Sequence, residues 1–383
     1  MKLTYITLIL VAGALTFTSC KKKGCTDPNA LNYDASAEKD DGSCQEDPGP
    51  SYTIPTTYLF TDANGNNTVM YQGQTDRLNQ LSEMTALMGT GTSAAVSAQD
   101  LKDMFANVGD NGNGNFSFST TKQLKDKTFP VDQTLFEGWM DDFALASQSF
   151  ASTASDGQAG TLTTGSGSTY LFDANGIEHK QFIEKGLMGA TFLYQALVVY
   201  FGESKMDVDN TTAVDPANGK YYTTMEHHFD EAFGYFGVDT DFPANIPDRF
   251  WGKYSNQQDP IINCNADMMN NFLKGRAAIT GNVMADRDAA IAAIRTEWED
   301  ISAYQTVEYI NDCLGYFGSD QAAFLHALAE AYAFAWNLRY APTETRRMTT
   351  TEHNDLMALF PTNFWNTTIT DLNNIKNAIE AKY

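Results

Sequence analysis

Basic residues are scarce in this chain of 383 residues, which has 25 Lys plus Arg against 48 Asp plus Glu. The formal net charge is therefore −23 at pH 7 with histidine counted as neutral. Proteins bind nucleic-acid backbones mainly through clustered cations that release counterions, so this composition argues against a nucleic-acid partner. Charged residues of both signs make up only 19% of the chain, whereas 43% is hydrophobic and 12% is aromatic. This apolar content is enough for one large or two medium cores and excludes global disorder.

Several motifs that carry known chemistry are also absent. The sequence has no Cys-x-x-Cys pair, which disfavours a zinc knuckle or a thioredoxin-like site. It has no His-Glu-x-x-His, no Gly-x-Ser-x-Gly and no glycine loop suited to phosphate. We therefore assign no catalytic residues from sequence motifs.

The first twenty residues resemble a bacterial lipoprotein signal peptide. Met1 and Lys2 give a positive start, residues 3–17 are mostly apolar, and small residues precede Cys20. The resemblance implies that residues 1–19 are removed, that Cys20 is lipidated, and that the protein is an outer-membrane lipoprotein of the cell envelope. The alternative is a membrane-spanning helix, but the apolar run is shorter than the roughly 20 residues that a span needs. Related surface-exported lipoproteins are typically acidic after the lipidated cysteine, whereas residues 21–23 are lysines, which favours the periplasmic face over the cell surface.

The cysteine count agrees with an exported protein. Lipidation of Cys20 leaves an even set of four, Cys25, Cys44, Cys264 and Cys313. The simplest of the three possible connectivities in an oxidising compartment joins Cys25 to Cys44 and Cys264 to Cys313.

The segment framed by Cys25 and Cys44 is rich in Asp and Asn, and it resembles a short motif that recurs in exported proteins of marine and gliding bacteria. Calcium takes six to eight oxygen ligands, and the candidate ligands here are Asp27, Asn29, Asn32, Asp34, Asp40 and Asp41. Asp and Asn also populate ordinary turns, so the alternative is a purely structural disulfide-closed loop. The chain is thus divided into a signal peptide (1–19), a lipidated cysteine with this motif and a linker (20–51), and a main domain (52–383).

The main domain is predicted to be all-α. Apolar residues recur at helical spacing over most of its length, which is typical of antiparallel helical bundles. One exception near its start is a predicted short β-hairpin, with strands at 58–60 and 69–71 around Asn64 and Gly65. Helices are predicted over 74–88, 98–105, 130–150, 177–201, 223–236, 267–283, 286–317 and 321–340. Residues 152–168 and 204–221 are predicted to be loops.

Five blocks of the main domain resemble a bacterial domain family of unknown function. They are residues 71–78, 185–190, 226–237, 250–254 and 273–276, and the resemblance extends over about 52–340. That family looks like a relative or genomic companion of imelysins, which are helical periplasmic proteins linked to iron uptake. The resemblance implies an imelysin-like bundle and an outer-membrane uptake system as a partner, but it carries no activity.

Imelysins have a Gly-x-His-x-x-Glu element that is associated with metal binding, and the chain departs from it. The nearest segment runs from Gly176 through His179 to Glu184. The first spacing is one residue too long, and the second spacing is five residues rather than three, which puts the pair on different helix faces. His179 is therefore only an additional candidate ligand.

Two other groups of His and carboxylate residues have better helical spacing. His227 precedes Asp230 and Glu231 by three and four residues, and His326 precedes Glu330 by four. Imidazole and carboxylate suit iron, zinc or manganese, especially where two helices face each other. The alternative is that these residues form hydrogen bonds on a helix face or satisfy a core histidine.

These observations predict a lipid-anchored envelope protein that binds a metal ion, iron or zinc, or a metal-loaded ligand as an accessory to iron uptake. Two alternatives stay open at this point. One is a metal-dependent hydrolase or peptidase that uses the same centre to activate water. The other is a non-catalytic structural or interaction lipoprotein.

Overall fold

The computed structural model describes residues 21–28, 30–45 and 51–383. The predicted signal peptide, the predicted lipidation site Cys20 and the calcium candidate Asn29 lie outside these residues. The chain divides into two compact units, Met1–Ser51 and Tyr52–Tyr383.

The first unit contains a small disulfide-closed loop. Two-residue strands β1 (Lys23–Gly24) and β2 (Lys39–Asp40) pair in parallel. Cys25 and Cys44 form a disulfide, which confirms this part of the predicted pairing.

The second unit is mostly helical, as predicted. Its helices are α1 (Gln72–Gly89), α2 (Ala98–Phe105), α3 (Gln133–Ser147), α4 (His179–Leu187), α5 (Glu203–Met206), α6 (Thr224–Phe236), α7 (Phe250–Ile262), α8 (Cys264–Thr280), α9 (Met284–Tyr316), α10 (Gln321–Asn337), α11 (Thr350–Ala358) and α12 (Ile369–Glu380). Helix α4 continues into two π-helical segments, Met188–Leu193 and Gln195–Tyr200.

Local sequence explains where two of these helices begin. Ser97 accepts the Asp100 N–H at the start of α2. Thr223 and Glu226 form a reciprocal capping box at the start of α6, which satisfies N–H groups that have no partner inside the helix. Gly237 ends α6 at φ 75°, a left-handed conformation that glycine adopts without strain.

Two antiparallel hairpins begin in the segments predicted to be loops, 152–168 and 204–221, and each hairpin extends beyond its predicted loop. Strand β3 (Gly160–Thr163) pairs with β4 (Thr169–Phe172), and β5 (Ala213–Asp215) pairs with β6 (Lys220–Thr223). The hairpin predicted over 58–71 is reduced to a single bridge between Thr61 and Asn67.

Two backbone hydrogen bonds, Asp62 to Asn66 and Thr68 to Phe60, join the sides of this turn, and side chains accept other N–H groups beside them. The Asp62 carboxylate accepts the N–H groups of Asn64 and Asn66, each at 2.8 Å. The Met70 N–H donates to Asp230 on α6. The turn therefore forms around Gly65, but regular strands do not extend from it.

The core is centred on the longest helix, α9, which packs along α8 and α10. Trp298 of α9 makes edge-to-face contacts with Trp251 of α7, at a ring separation of 5.8 Å, and with Phe236 of α6, at 5.0 Å. Among the described residues one helix, His179–Tyr200, is long and apolar enough to cross a membrane, and 78% of its most apolar window is buried inside the fold.

The second predicted disulfide is wrong. Cys264 and Cys313 are free and buried; the Cys264 thiol donates to the Ser255 carbonyl at 3.0 Å, and Cys313 lies against the Phe324 carbonyl at 3.7 Å. Cys264 is at the start of α8 and Cys313 is near the end of α9, which packs against α8 after a short turn. At 1.5 Å per residue the two cysteines lie about 20 Å apart along the helix pair, and a disulfide cannot bridge that distance.

Candidate ligand-binding site

The first predicted metal group lies on α6 but divides between two environments. The His227 Nδ1 atom is 3.0 Å from the Met70 carbonyl, its Nε2 atom is 4.0 Å from Glu231, and its ring stacks on Tyr222. The Glu231 carboxylate accepts hydrogen bonds from Gln74 and Tyr200, both at 3.0 Å. His227 and Glu231 therefore share one helix face, as their spacing predicts.

Asp230 points away from that face into the core. Its carboxylate accepts hydrogen bonds from Arg276 at 2.9 Å, from the Tyr58 hydroxyl at 3.0 Å and from the Met70 N–H at 3.1 Å. Arg276 is also fully buried and bonds Glu226 at 2.7 Å. Burial raises the pKa of Asp230 to about 6, although Arg276 opposes the shift. This network ties the segment before α1 to α6 and α8, so Asp230 has a structural role.

The second predicted group lies on α10 and forms a buried chain of ion pairs. The His326 Nδ1 atom is 2.6 Å from Glu178 and its Nε2 atom is 3.3 Å from Glu330, while its ring stacks on Tyr170 at 3.9 Å. Burial by itself lowers the pKa of His326, but Glu178 and Glu330 outweigh burial and raise it. Glu330 also lies 3.7 Å from Lys185. Both ring nitrogens are thus engaged by carboxylates.

His179 also has a local partner. Its Nε2 atom is 3.0 Å from the Asp173 carboxylate. Its Nδ1 atom is buried without a hydrogen-bond partner in the described part of the chain.

The structure does not bring the two predicted metal groups together. Within the described ranges, no group of three or more His, Cys, Asp or Glu is arranged to hold a metal ion. Each group has its own hydrogen-bond partners, which matches the helix-face and core-histidine alternative. Metal binding by these residues stays a prediction.

The calcium candidates of the first unit are largely engaged in turns. Asp40 and Asp41 accept the N–H groups of Gly42 and Ser43, both at 3.0 Å. Asp34 accepts the Ser36 N–H and pairs with Lys22 at 2.8 Å. The Asn32 amide spans the Ser43 carbonyl and the Gln45 N–H. These contacts are those of the structural loop, and calcium binding, which would also involve Asp27, stays a prediction.

A polar cavity of about 510 Å³ lies beside His227 and Glu231, and we call it the lysine pocket. It is lined by Met70, Gln72, Gly73, Gln74, Asp76, Arg77, Thr121, Lys122, Asp126, Lys127, Tyr200, Lys220, Tyr222, His227 and Glu231. Its walls come from the start of α1, the loop after residue 120, the end of the π-helical segment, β6 and α6.

Cations are concentrated in the lysine pocket. Arg77, Lys122, Lys127 and Lys220 face three carboxylates there, although the chain as a whole has about two acids for each base. None of the three lysines forms an ion pair within the described residues. Burial lowers the pKa of half-buried Lys127 and the nearby Arg77 lowers it further, while Asp126 and Glu231 oppose the shift.

Arg77 is held by the protein itself. Its Nε atom donates to the Gln123 carbonyl at 2.8 Å, one terminal nitrogen donates to the Gly73 carbonyl at 3.1 Å, and the other lies 3.7 Å from Asp126. Arg77 therefore fixes the loop that carries Lys122 and Lys127 against α1.

Close packing of α1 on α6 positions the floor of the pocket. A Cβ atom on Gly234 would lie 2.7 Å from Tyr71 Cβ and 2.9 Å from Gln74 Cβ, so only glycine permits this approach. Two of the blocks identified in the sequence, 71–78 and 226–237, meet here, and Arg276 of a third block lies beneath them.

The family model described as a domain of unknown function, DUF4856, matches residues 55–383. The chain belongs to this family. The match confirms an uncharacterised domain family and extends beyond the predicted limit near residue 340 to residue 383. No curated protein and no solved structure matches the chain.

Sequence reasoning missed most of the lysine pocket in this DUF4856 domain. Arg77 lies in the block 71–78, so its place in a block that resembles the family was a signal in the sequence. Lys122, Lys127 and Lys220 lie in polar segments without a spacing pattern, and only the tertiary fold brings them to one cavity.

Proposed function

We propose that this protein is a lipid-anchored envelope binding protein whose lysine pocket takes a small organic polycarboxylate, either free or as a metal chelate. The observation that carries the proposal is a set of three lysines, Lys122, Lys127 and Lys220, around one cavity of an otherwise acidic chain, which have no ion-pair partner in the described part of the chain. The cavity volume falls in the range of small-molecule sites.

The physical argument rests first on Lys127. A half-buried ammonium group has lost part of its hydration, and a carboxylate ligand would replace it with charge-assisted hydrogen bonds. The net charge of the chain is negative, so an anion is expected to bind only where cations are gathered, as in this pocket, and to bind more weakly as salt screens the charges.

The opposite wall offers hydrogen-bonding groups. Gln74, Tyr200 and Glu231 form a hydrogen-bonded row at the pocket floor, and burial raises the pKa of Tyr200 so that its hydroxyl stays a donor. Such a row suits the hydroxyl groups of a hydroxy acid. Cations on one side and hydrogen-bonding groups on the other favour a ligand with both functions.

A metal chelate presents the same outer carboxylates as the free acid. The proposal therefore includes a metal-loaded ligand and an accessory role in iron uptake. Lipidation at Cys20, the periplasmic side of the outer membrane and the relationship to imelysins belong to the proposal as well, on the sequence evidence alone.

Titration calorimetry with citrate, ferric citrate and neutral glucose tests the proposal. We expect citrate or its chelate to bind, glucose not to bind, and Lys127→Gln to weaken binding about 10-fold, equivalent to about 1.4 kcal/mol. Lys274→Gln is the matched control, because Lys274 is also half-buried but does not line the pocket. Absence of binding by both citrate species, or equal losses in the two variants, would contradict the proposal.

A further inference from the structure

A second cavity, of about 370 Å³, lies between the π-helical segment and the chain that follows α10. Phe129, Tyr194, Tyr340, Arg339, Arg346 and His353 are among its lining residues, and we call it the arginine pocket. It shares no lining residue with the lysine pocket.

Aromatic rings form a fixed corner of the arginine pocket. Phe129 makes edge-to-face contacts with Tyr194 at 5.0 Å and with Tyr340 at 5.7 Å. The Tyr340 hydroxyl donates to Asp132 at 2.6 Å and accepts from Trp336 at 2.9 Å. Tyr340 is therefore locked, and Phe129 and Tyr194, both half-buried, leave apolar surface toward the cavity.

The cationic side of the arginine pocket includes the guanidinium of Arg346. Arg346 donates to the Arg339 carbonyl at 2.9 Å and to the Thr350 hydroxyl, and it forms no ion pair within the described ranges. Its Nε atom is buried without a hydrogen-bond partner in the same residues. Arg339 stacks over Trp336 at 4.6 Å and lies 3.6 Å from Asp132.

The other titratable groups leave the cavity cationic at neutral pH. Burial lowers the pKa of His353 to about 4, and its Nε2 atom donates to the Ala335 carbonyl at 3.1 Å. Glu344 is the one carboxylate among the lining residues of this cavity, and it lies 4.0 Å from Arg295. Two guanidinium groups and one carboxylate thus line the cavity, and Asp132 offsets the charge of Arg339, so Arg346 supplies the cationic side.

We propose that the arginine pocket binds an aromatic carboxylate. The planar fork of a guanidinium matches a carboxylate in a two-point hydrogen-bonded pair. Phe129 and Tyr194 offer ring surfaces for the offset or edge-to-face contact that an aromatic ligand prefers. This site is separate from the proposed polycarboxylate site and does not depend on it.

NMR titration of the full-length protein with benzoate tests this inference. We expect benzoate to bind, benzamide to bind at least 10-fold more weakly because it lacks the charge, and cyclohexanecarboxylate to bind more weakly because it lacks the ring. Arg346→Lys, which retains the charge but not the fork, should weaken benzoate binding about 10-fold.

Two further variants make the result decisive. Tyr194→Leu should weaken benzoate binding and leave cyclohexanecarboxylate binding nearly unchanged, and it keeps the test available if Arg346→Lys fails to fold. Lys127→Gln, in the lysine pocket, should leave benzoate binding unchanged whether or not citrate binds the wild type. Equal binding of benzoate and benzamide, no binding of benzoate, or a loss in Lys127→Gln equal to that in Arg346→Lys would overturn the inference.

Discussion

The pKa values of two histidines of the domain are shifted in opposite directions. Burial lowers the pKa of His353 to about 4, and its partner is a neutral carbonyl. His326 lies between two carboxylates that raise its pKa in spite of burial. The same residue type therefore favours folding at high pH in one place and at low pH in the other.

The His353 site gives a prediction about acid stability. An unfolded chain has an ordinary histidine pKa of 6.5, so between pH 6.5 and about 4 the unfolded state binds more protons than the folded state. Acidification through this window thus favours unfolding. From pH 7 to pH 5 this site should remove about 2 kcal/mol from the free energy of unfolding. His353→Gln should reduce the pH dependence by that amount in urea titrations.

His326→Gln is the control of opposite sign. Because the folded-state pKa of His326 is raised, its protonation stabilises the folded protein on the acid side, and that contribution is lost as pH rises through the folded-state pKa. Its removal should make the stability loss from pH 7 to pH 5 larger than in wild type. Identical pH dependence in wild type and both variants would contradict the assignment.

Residue spacing predicted part of this chemistry and could not predict the rest. His227 and Glu231 share a helix face as their i, i+4 spacing indicates. The role of Asp230 depends on Arg276, 46 residues further along the chain, and no local pattern contains that pairing. The partner of His326, Glu178, lies 148 residues away.

At the scale of elements, sequence patterns located the long helices and α2 but did not locate the observed hairpins or the helices α5, α7, α11 and α12. Helix α9 spans Met284–Tyr316, close to the predicted 286–317. Helix α7 was missed because Pro260 and many polar residues interrupt its apolar pattern. Strands β3 and β4 lie in a segment rich in Ser, Thr and Gly, where only Leu171 and Phe172 of β4 supply buried apolar contacts.

The contact between α1 and α6 gives a prediction at this scale. Gly234→Ala places a methyl group 2.7 Å from Tyr71 Cβ, and atoms so close to the backbone cannot rotate away. We expect a loss of about 1–3 kcal/mol in the free energy of unfolding. The same variant should also weaken ligand binding in the lysine pocket, because α1 and α6 form its floor.

Gly138→Ala is the matched control on α3. No atom lies within 4 Å of the added methyl group, so the higher helix propensity of alanine should stabilise the protein by up to about 1 kcal/mol. Chemical denaturation of both variants checks the pair. Equal effects in the two variants would show that the close approach of α1 and α6 is not required.

For the molecule as a whole, the charge distribution matters more than the net charge. A formal charge of −23 argues against a nucleic-acid partner from the sequence alone. The fold nevertheless gathers cations at two cavities. The net charge therefore disfavours long polyanions, but it does not disfavour small anions that fit a cavity. Composition averages over the surface and cannot show such local reversals.

Membrane anchoring is the remaining whole-molecule prediction, and it rests on the apolar run and small residues before Cys20. Each buried CH₂ of an acyl chain contributes about 0.8 kcal/mol to membrane binding, so a lipidated chain should remain with the membrane. Serine has no thiol to accept the lipid. Cys20→Ser should therefore move the protein to the soluble fraction or leave it as an unprocessed precursor.

Cell fractionation and intact mass measurement check this expectation, with the double variant Cys25→Ser and Cys44→Ser as control. That control removes the disulfide of the first unit but keeps Cys20, so it should stay in the membrane fraction with its acyl mass. If Cys20→Ser leaves both fractionation and mass unchanged, the anchor is not at Cys20. If the control also leaves the membrane, retention depends on the fold of the disulfide loop, because lipid alone would have held both chains equally.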